Sequence, residues 1–382
     1  MSTKGGALRL LHLHSSFNPG GKEVRAVKLM NAFGGGAEHA IVSAMPDEMG
    51  AAQLIDAAIK VRYPADFPML TGKPFPRRLQ KLAQAMQGHD LVLTYNWGAM
   101  DAVLAHTLFA DALKLPPLVH HEDGFNTDEA VKLKTSRNWF RRIALWNAQA
   151  LVVPSERLEA IARKHWTVPR SKLYRIANGI PVERYAQACK PNALPRLIKR
   201  DGERWLGTLA GLRTVKNLPR LVRAFAALGP EWQLVILGEG PEREAIRAEA
   251  ARLGLEHRVH LPGFAPDPAK VVGLFDLFAL SSESEQFPIS VVEAMAAGLA
   301  VASPRVGDVE AMVAGENRPY LTPPGDEAAL AAALVKLAAD GDLRTAIGQA
   351  NRQRAAAQFD EAGMIAAYAR VYAQAMGRSA FP

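Results

Sequence analysis

Short apolar runs of strand length alternate along the chain with longer segments of helical period. The first run, Leu8–Leu13, ends in a Ser/Asn/Pro/Gly loop that leads into a helical stretch from Lys22 to Phe33. Similar runs follow at Leu91–Thr94, Pro117–His120, Leu151–Pro154 and Leu173–Ala177. They are continuous rather than alternating, which predicts parallel strands covered by helices on both faces. The pattern then restarts. Strands are expected over Trp205–Ala210, Leu234–Leu237, Val259–Leu261, Leu277–Leu280 and Ala300–Ser303, with an edge strand at Tyr320–Thr322. Between them lie helices over Asn217–Leu228, Pro241–Leu253 and Ile289–Ala297; the first carries Leu218, Leu221, Val222 and Phe225 on one face. Asp326 is placed to cap a helix with Leu330, Leu334 and Leu337 at i, i+4 and i+7. Two more helices finish the chain, the last displaying Met364, Tyr368 and Tyr372 on one side.

The pattern predicts an α/β protein of two doubly wound, Rossmann-like domains. A change of character at 191–202 (PNALPRLIKRDG), with two prolines and no extended period, reads as a linker. The expected division is therefore 1–190, a linker at 191–202, a second domain at 203–358, and a C-terminal helix at 359–382 that packs toward the first domain. A length of 382 residues agrees with two or three domains.

Composition excludes more than it identifies. At 49% hydrophobic and 22% charged residues the chain is globular rather than disordered. One cysteine, Cys189, excludes a disulfide framework and a cysteine-cluster metal site within one chain, and suits a reducing compartment. His12, His14, His39 and His89 show no metal-ligand spacing. No uncharged apolar stretch approaches the roughly 18 residues of a bilayer span. The N-terminal apolar run is broken by Arg9 and His12 and reads as a first buried strand, not a signal peptide. A cytoplasmic protein is expected.

In open α/β sheets ligands bind beyond the carboxyl ends of the strands, at helix N-termini. The most informative junction is 281–301, SSESEQFPISVVEAMAAGLAV. Its polar loop delivers Glu285, a helix opens at Pro288–Ile289, and Glu293 on the second turn leans back toward the helix start. The amides of Phe287, Ile289 and Ser290 offer donors for a phosphate, reinforced by the helix dipole. Two carboxylates around such an end suit the hydroxyls of a sugar and a ribose. The segment Gly211-Leu-Arg-Thr-Val-Lys-Asn217 lies between a strand and a capped helix, the place for a second phosphate-binding loop. In the first half, Asn18-Pro-Gly-Gly-Lys-Glu23 opens a helix, and Gly20 and Gly21 let backbone approach a phosphate closely.

These segments resemble the retaining glycosyltransferases of family four, which have the GT-B architecture. The pair Glu285-QFPISVV-Glu293 fits the family's two glutamates separated by seven residues, and Ala294-Met-Ala-Ala-Gly298 continues the match. Leu237-Gly-Glu-Gly-Pro241, Ile176-Ala-Asn-Gly-Ile180, Gly307-Asp-Val-Glu310 and Pro323-Pro-Gly-Asp326 appear in family order. The resemblance covers nearly the entire chain and is thinnest between Gly34 and Asp90.

The resemblance implies two Rossmann-like domains facing a cleft and a donor bound by the second: Glu293 on ribose hydroxyls, Lys216 on the diphosphate, Glu285 on sugar hydroxyls. Leu261-Pro-Gly263-Phe264 resembles the loop whose backbone surrounds the base. The family's arginine falls at Gly211, so Arg213 either replaces it or points to solvent. Val119-His120-His121-Glu122-Asp123 resembles the family's His-Gly-x-Asp strand end, which makes His120 the sugar-side histidine. His121 stands in place of a glycine and leaves the choice between the two open.

A UDP- or GDP-sugar is the implied co-substrate, a glycan or lipid-linked molecule the acceptor, with no metal or other cofactor and no nucleic-acid partner. Rival readings are a GT-B nucleotide-sugar epimerase, a non-catalytic glycan- or lipid-binding relative, and a nucleic-acid binder suggested by charge alone. The formal net charge is +8. Residues 1–190 carry 25 Lys/Arg against 16 Asp/Glu (+9), and 191–382 carry 21 against 22 (−1). With Arg77, Arg78 and Lys81, and a looser group of Lys132, Lys134, Arg137, Arg141 and Arg142, the basic half suggests an anionic acceptor or contact with the inner membrane face.

Overall fold

A computed structural model describes residues 6–125, 129, 133–195 and 197–382. They divide into two compact units, one running up to Ala177 together with Met364–Pro382, the other Asn178–Gly363.

The first unit contains β1 (Leu8–His14), α1 (Gly21–Phe33), β2 (Ala37–Ser43), β3 (Lys60–Arg62), α2 (Pro76–Met86), β4 (Leu91–Tyr95), α3 (Met100–Leu113), β5 (Leu118–His121), α4 (Thr135–Ala144), β6 (Ala150–Val153), α5 (Glu156–Lys164) and β7 (Leu173–Arg175). Its seven strands lie in the order β3-β2-β1-β4-β5-β6-β7, every neighbour parallel. Alternate residues of β1 enter two cores. Leu8 and Leu10 join Val27 and Met30 of α1, while Leu11 and Leu13 join Leu79 and Leu82 of α2 and Val103 of α3. Two buried faces are the reason leucines fall on both sides of the strand.

The second unit contains α6 (Val182–Tyr185), β8 (Arg204–Leu209), α7 (Leu218–Phe225), β9 (Trp232–Leu237), α8 (Arg243–Arg252), β10 (Val259–Gly263), β11 (Leu277–Ala279), α9 (Ile289–Ala296), β12 (Val301–Pro304), α10 (Val309–Met312), β13 (Leu321–Thr322), α11 (Glu327–Ala339) and α12 (Gly341–Gln358). Its parallel sheet runs β10-β9-β8-β11-β12-β13. Asp326 caps α11 by accepting from the Ala329 amide at 2.8 Å. The chain then enters α13 (Glu361–Ala375), whose Met364, Tyr368, Val371 and Tyr372 are buried in the first unit's core with Leu10 and Tyr95.

Two expectations need correction. Residues 191–202 are not a free linker, and the division falls at Ala177/Asn178 instead. The segment after it is stitched to the second unit: Ile180 N donates to Phe359 O at 2.9 Å, and Lys199 Nζ reaches Leu274 O and Asp276 at 2.7 Å each. Nor do the basic residues around α4 form one surface group. Arg141 is fully buried, its Nε 3.0 Å from Glu122, and Arg137 pairs with Glu129 at 2.9 Å. Lys132 lies outside the described residues.

Candidate active site

In the second unit the strand order reverses between β8 and β11, so the loops leaving these strands flank the place where open α/β sheets bind ligands. The loop after β8 is set by local chemistry. The Leu212 amide donates to Glu239 O at 2.9 Å, and the short turn over 214–216 ends at Asn217 in the left-handed region (φ 42). Asn217 caps α7 by accepting from the Arg220 amide, and Pro219 fills the first turn. This places Lys216 against the loop after β11. Its Nζ donates to Glu285 Oε1 at 2.5 Å, and Ser282 Oγ donates to the same oxygen at 2.6 Å. The backbone seals the contact, with Ser281 Oγ on Lys216 O at 2.9 Å and the Glu283 amide on Val215 O at 2.8 Å. Glu283 in turn accepts from Asn217 Nδ2 at 2.5 Å and from Arg220.

The helix α9 starts directly beyond Glu285, with Pro288 as its N-cap. The amides of Phe287, Ile289 and Ser290 find no acceptor among the described residues, so the helix end keeps the donors an anion would use. Val291, Val292, Met295 and the alanines bury the opposite face, which leaves Glu293 half-buried on the site side. Its Oε1 accepts from Tyr185 Oη at 2.8 Å. Burial, and then the Glu293 carboxylate beside it, push the Tyr185 phenol well above its usual range; the shared proton therefore stays on the tyrosine. Gly307 lies close beneath this loop. At φ +55, a Cβ there would meet Gln286 O at 2.5 Å and Glu285 O at 2.7 Å. Gly263, at φ +100, faces Glu239 in the same way, and its carbonyl accepts from the Gly238 amide at 2.9 Å. Arg213 is exposed and makes no side-chain hydrogen bond or ion pair among the described residues. Its Nε lies 3.5 Å from the position of a Cβ on Gly211.

In the first unit Gly20 is the N-cap of α1, and the amides of Gly20, Gly21 and Lys22 find no acceptor among the described residues. Burial pushes the neighbouring Lys22 ammonium down to about 8, against the pull of Asp123. Asp123 is paired with Arg25 of α1 (Nη2 to Oδ2, 2.8 Å), and its amide donates to Asn96 Oδ1 at 2.7 Å. Burial would raise the Asp123 carboxyl, but Arg25 outweighs it and holds it below the usual range. Both strand-end histidines are buried. His121 is fully engaged, Nδ1 on Thr94 O at 3.1 Å and Nε2 with Tyr372 Oη at 3.0 Å. His120 bonds Thr94 Oγ1 through Nδ1 at 2.8 Å, while its Nε2 lies 3.8 Å from Glu122 without a hydrogen bond.

Lys216, Glu285, Glu293, Phe287, Ile289 and Ser290 are thus brought together in the second unit, and Gly20, Gly21 and His120 belong to the first. Reading the sequence missed Ser282, Arg25 and Tyr185. The first lies inside the same loop. Tyr185 stands 108 residues from Glu293 and carries no local signal.

Residues 190–354 match the family described as glycosyl transferases group 1, and residues 19–184 match glycosyltransferase family 4. The chain belongs to the group 1, family 4 glycosyltransferases. Among its relatives, N-acetyl-alpha-D-glucosaminyl L-malate synthase of Bacillus anthracis is 31% identical over 145 residues, 37% of this chain and 38% of that protein. A Campylobacter jejuni N-acetylgalactosaminyltransferase, named for an N-acetylgalactosamine-N,N'-diacetylbacillosaminyl-diphospho-undecaprenol acceptor, is 30% identical over 166 residues, 43% of this chain and 44% of that protein. The chain therefore spans about two fifths of the length of each. Among solved structures, Anabaena Alr3699/HepE in complex with UDP superposes with a TM-score of 0.80 at 21% identity, covering 96% of this chain and all of that one. That likeness shows the fold, GT-B with two Rossmann-like units.

Proposed function

We propose that this group 1 glycosyltransferase moves a sugar, with retained anomeric configuration, from a UDP- or GDP-sugar to a glycan or lipid-linked acceptor, as in polysaccharide or glycolipid synthesis. The observation that carries the reading is the Lys216–Glu285 contact of 2.5 Å beside amides at the start of α9 that find no acceptor among the described residues. A diphosphate would open this pair, drawing Lys216 to itself and freeing Glu285 for sugar hydroxyls. Lys216 and the Phe287, Ile289 and Ser290 amides then stabilise the charge that grows on the departing diphosphate as the anomeric C–O bond breaks. Arg213, unengaged beside Gly211, adds a second cation. No metal ion or other cofactor enters this reading. Glu293, oriented by Tyr185, takes the ribose, and Gly263 borders the base. On the first unit, Gly20 and Gly21 offer amides to the donor. His120 is assigned to the sugar because it keeps a nitrogen without a hydrogen bond and His121 does not.

The diphospho-undecaprenol in the Campylobacter relative's name supports a lipid-linked acceptor here, with cytoplasmic synthesis at the inner face of an anionic membrane. No helix among the described residues is long and apolar enough to cross one, and the contact proposed here is a peripheral one. A thermal-shift panel of UDP-, GDP- and ADP-sugars tests the donor side. One nucleotide class should raise the Tm and lose its effect in Lys216→Ala. No shift with any nucleotide sugar would sink the reading.

A further inference from the structure

We propose that α4 and the turn that follows it form a face that docks on an anionic lipid bilayer. The inner side of α4 is fixed by Arg141. It is fully buried, bonded to Glu122 and Glu129, with the rings of Trp97, Phe125 and Trp166 each about 5 Å from its guanidinium. With Arg141 turned inward, positions 139, 143 and 146, spaced i, i+4, i+7, are turned outward. They hold Trp139, Ile143 and Trp146, exposed by 57%, 54% and 80%. The large aromatics of a globular protein belong inside, and Trp166, Trp205 and Trp232 of this chain are buried.

The cations around the face settle what covers it. The Arg142 guanidinium lies 5.1 Å over the Trp139 ring, and Lys172 Nζ donates to Trp146 O at 3.3 Å. No Asp or Glu occurs between residues 130 and 155 or between 160 and 182. Indole rings beside Arg142 and Lys172 match the headgroup region of an anionic leaflet, where tryptophan seats its ring and Lys or Arg meets phosphate; the nearby carboxylates Glu156 and Glu159 are paired with Arg175. A second copy of the chain fits poorly. A two-fold contact sets this patch against the same patch of its copy, so that the Arg142 and Lys172 cations of one face those of the other.

The proposal rests on the lipid-linked acceptor only for its purpose, which is to hold the enzyme at its acceptor's surface. The test is co-sedimentation of the full chain with phosphatidylcholine vesicles containing 30% phosphatidylglycerol, and with phosphatidylcholine alone. Binding is expected only to the anionic vesicles, falling as salt rises. W139S/W146S should lose at least tenfold in binding, and R142A/K172A about fivefold per cation. Trp139, Trp146 and Arg142 are exposed and Lys172 is half-buried, none of them in a core, so circular dichroism and the nucleotide-sugar thermal shift should match wild type. That readout separates failure of docking from failure of the transferase reading. Absence of anionic-vesicle binding by the wild type, or undiminished binding by W139S/W146S, overturns the proposal. So does sedimentation showing a dimer that W139S/W146S splits, without vesicle binding.

Discussion

Acidification should unfold the first unit well before the second. The reason is four imidazoles in its interior. His12 bonds Tyr95 Oη at 3.2 Å and His39 at 2.9 Å; His14 stacks on Tyr95 at 4.0 Å with neither ring nitrogen bonded; His121 is locked between Thr94 and Tyr372. Burial pushes His39 down to about 4 and His121 to about 3, and takes His12 and His14 well below the usual range. Nearby charge adds to the effect, from Lys22 and Arg25 on His14 and from Arg25 on His121.

The sign follows from proton counting. Unfolded imidazoles titrate near 6.5 and the folded ones lower, so below about pH 6.5 the unfolded state binds more protons and stability falls with pH. At pH 5.5 an unfolded-state histidine is about 90% protonated, which costs the folded state about 1.4 kcal/mol per buried group. Four such groups cost about 6 kcal/mol, against a total domain stability of about 5–15 kcal/mol. In the second unit such a lowering falls on His260, a part-buried residue.

Native-state hydrogen exchange resolved by peptide, at pH 7.5 and 5.5 and corrected for intrinsic rates, reads this directly. Peptides from β1, β4 and β5 should lose protection while those from β8, β9 and β11 keep it. His14→Phe keeps the ring stack and removes one proton site, so it should recover about a quarter of the loss. Equal protection of β1 at both pH values would refute the reasoning.

Other substitutions test the site and its frame. Glu293→Ala should weaken UDP or GDP binding by calorimetry at least tenfold, whereas Glu285→Gln should mainly lower turnover; wild-type behaviour of both would remove the site assignment. Lys216→Ala deletes a charge-assisted bond of about 1.5–3 kcal/mol, so donor affinity should drop about 10- to 150-fold. Gly238→Ala forces a side chain onto φ 143 with its Cβ 1.9 Å from Ala210 O; a Tm unchanged within a degree would contradict that contact. Asn351→Leu strands the Ala314 amide, Leu299 O and Asn317 of a fully buried network. It should cost about 3–5 kcal/mol in urea unfolding.

What could be read from the chain depended on whether a feature was local. β1, β4, β8 and β9 were legible because both faces are buried, so each carries apolar residues at consecutive positions. β2 was not, because Glu38 and His39 interrupt it, and neither was β3, three residues at the sheet edge with Lys60 and Arg62 exposed. The proline-rich segment at 191 looked like a linker, and the reach of Lys199 to Leu274 O and to Asp276, 77 positions on, shows that it is anchored.

The candidate-site residues of the second unit were legible for the opposite reason. Each loop is encoded in one contiguous stretch, and the fold has only to set β8 beside β11 for Lys216 to meet Glu285. Tyr185 and the Arg25–Asp123 pair depend on long-range packing and left no trace. The basic half was the most misleading count, since charge totals treat Arg141 and Arg142 alike. One helical step of about 100° separates them. The first lies in the core among three aromatic rings, and the second stands over Trp139 at the surface. The charge that stands at the surface is thus set by helical phase, and the exposed indoles beside it, rather than the +9, mark the proposed docking face.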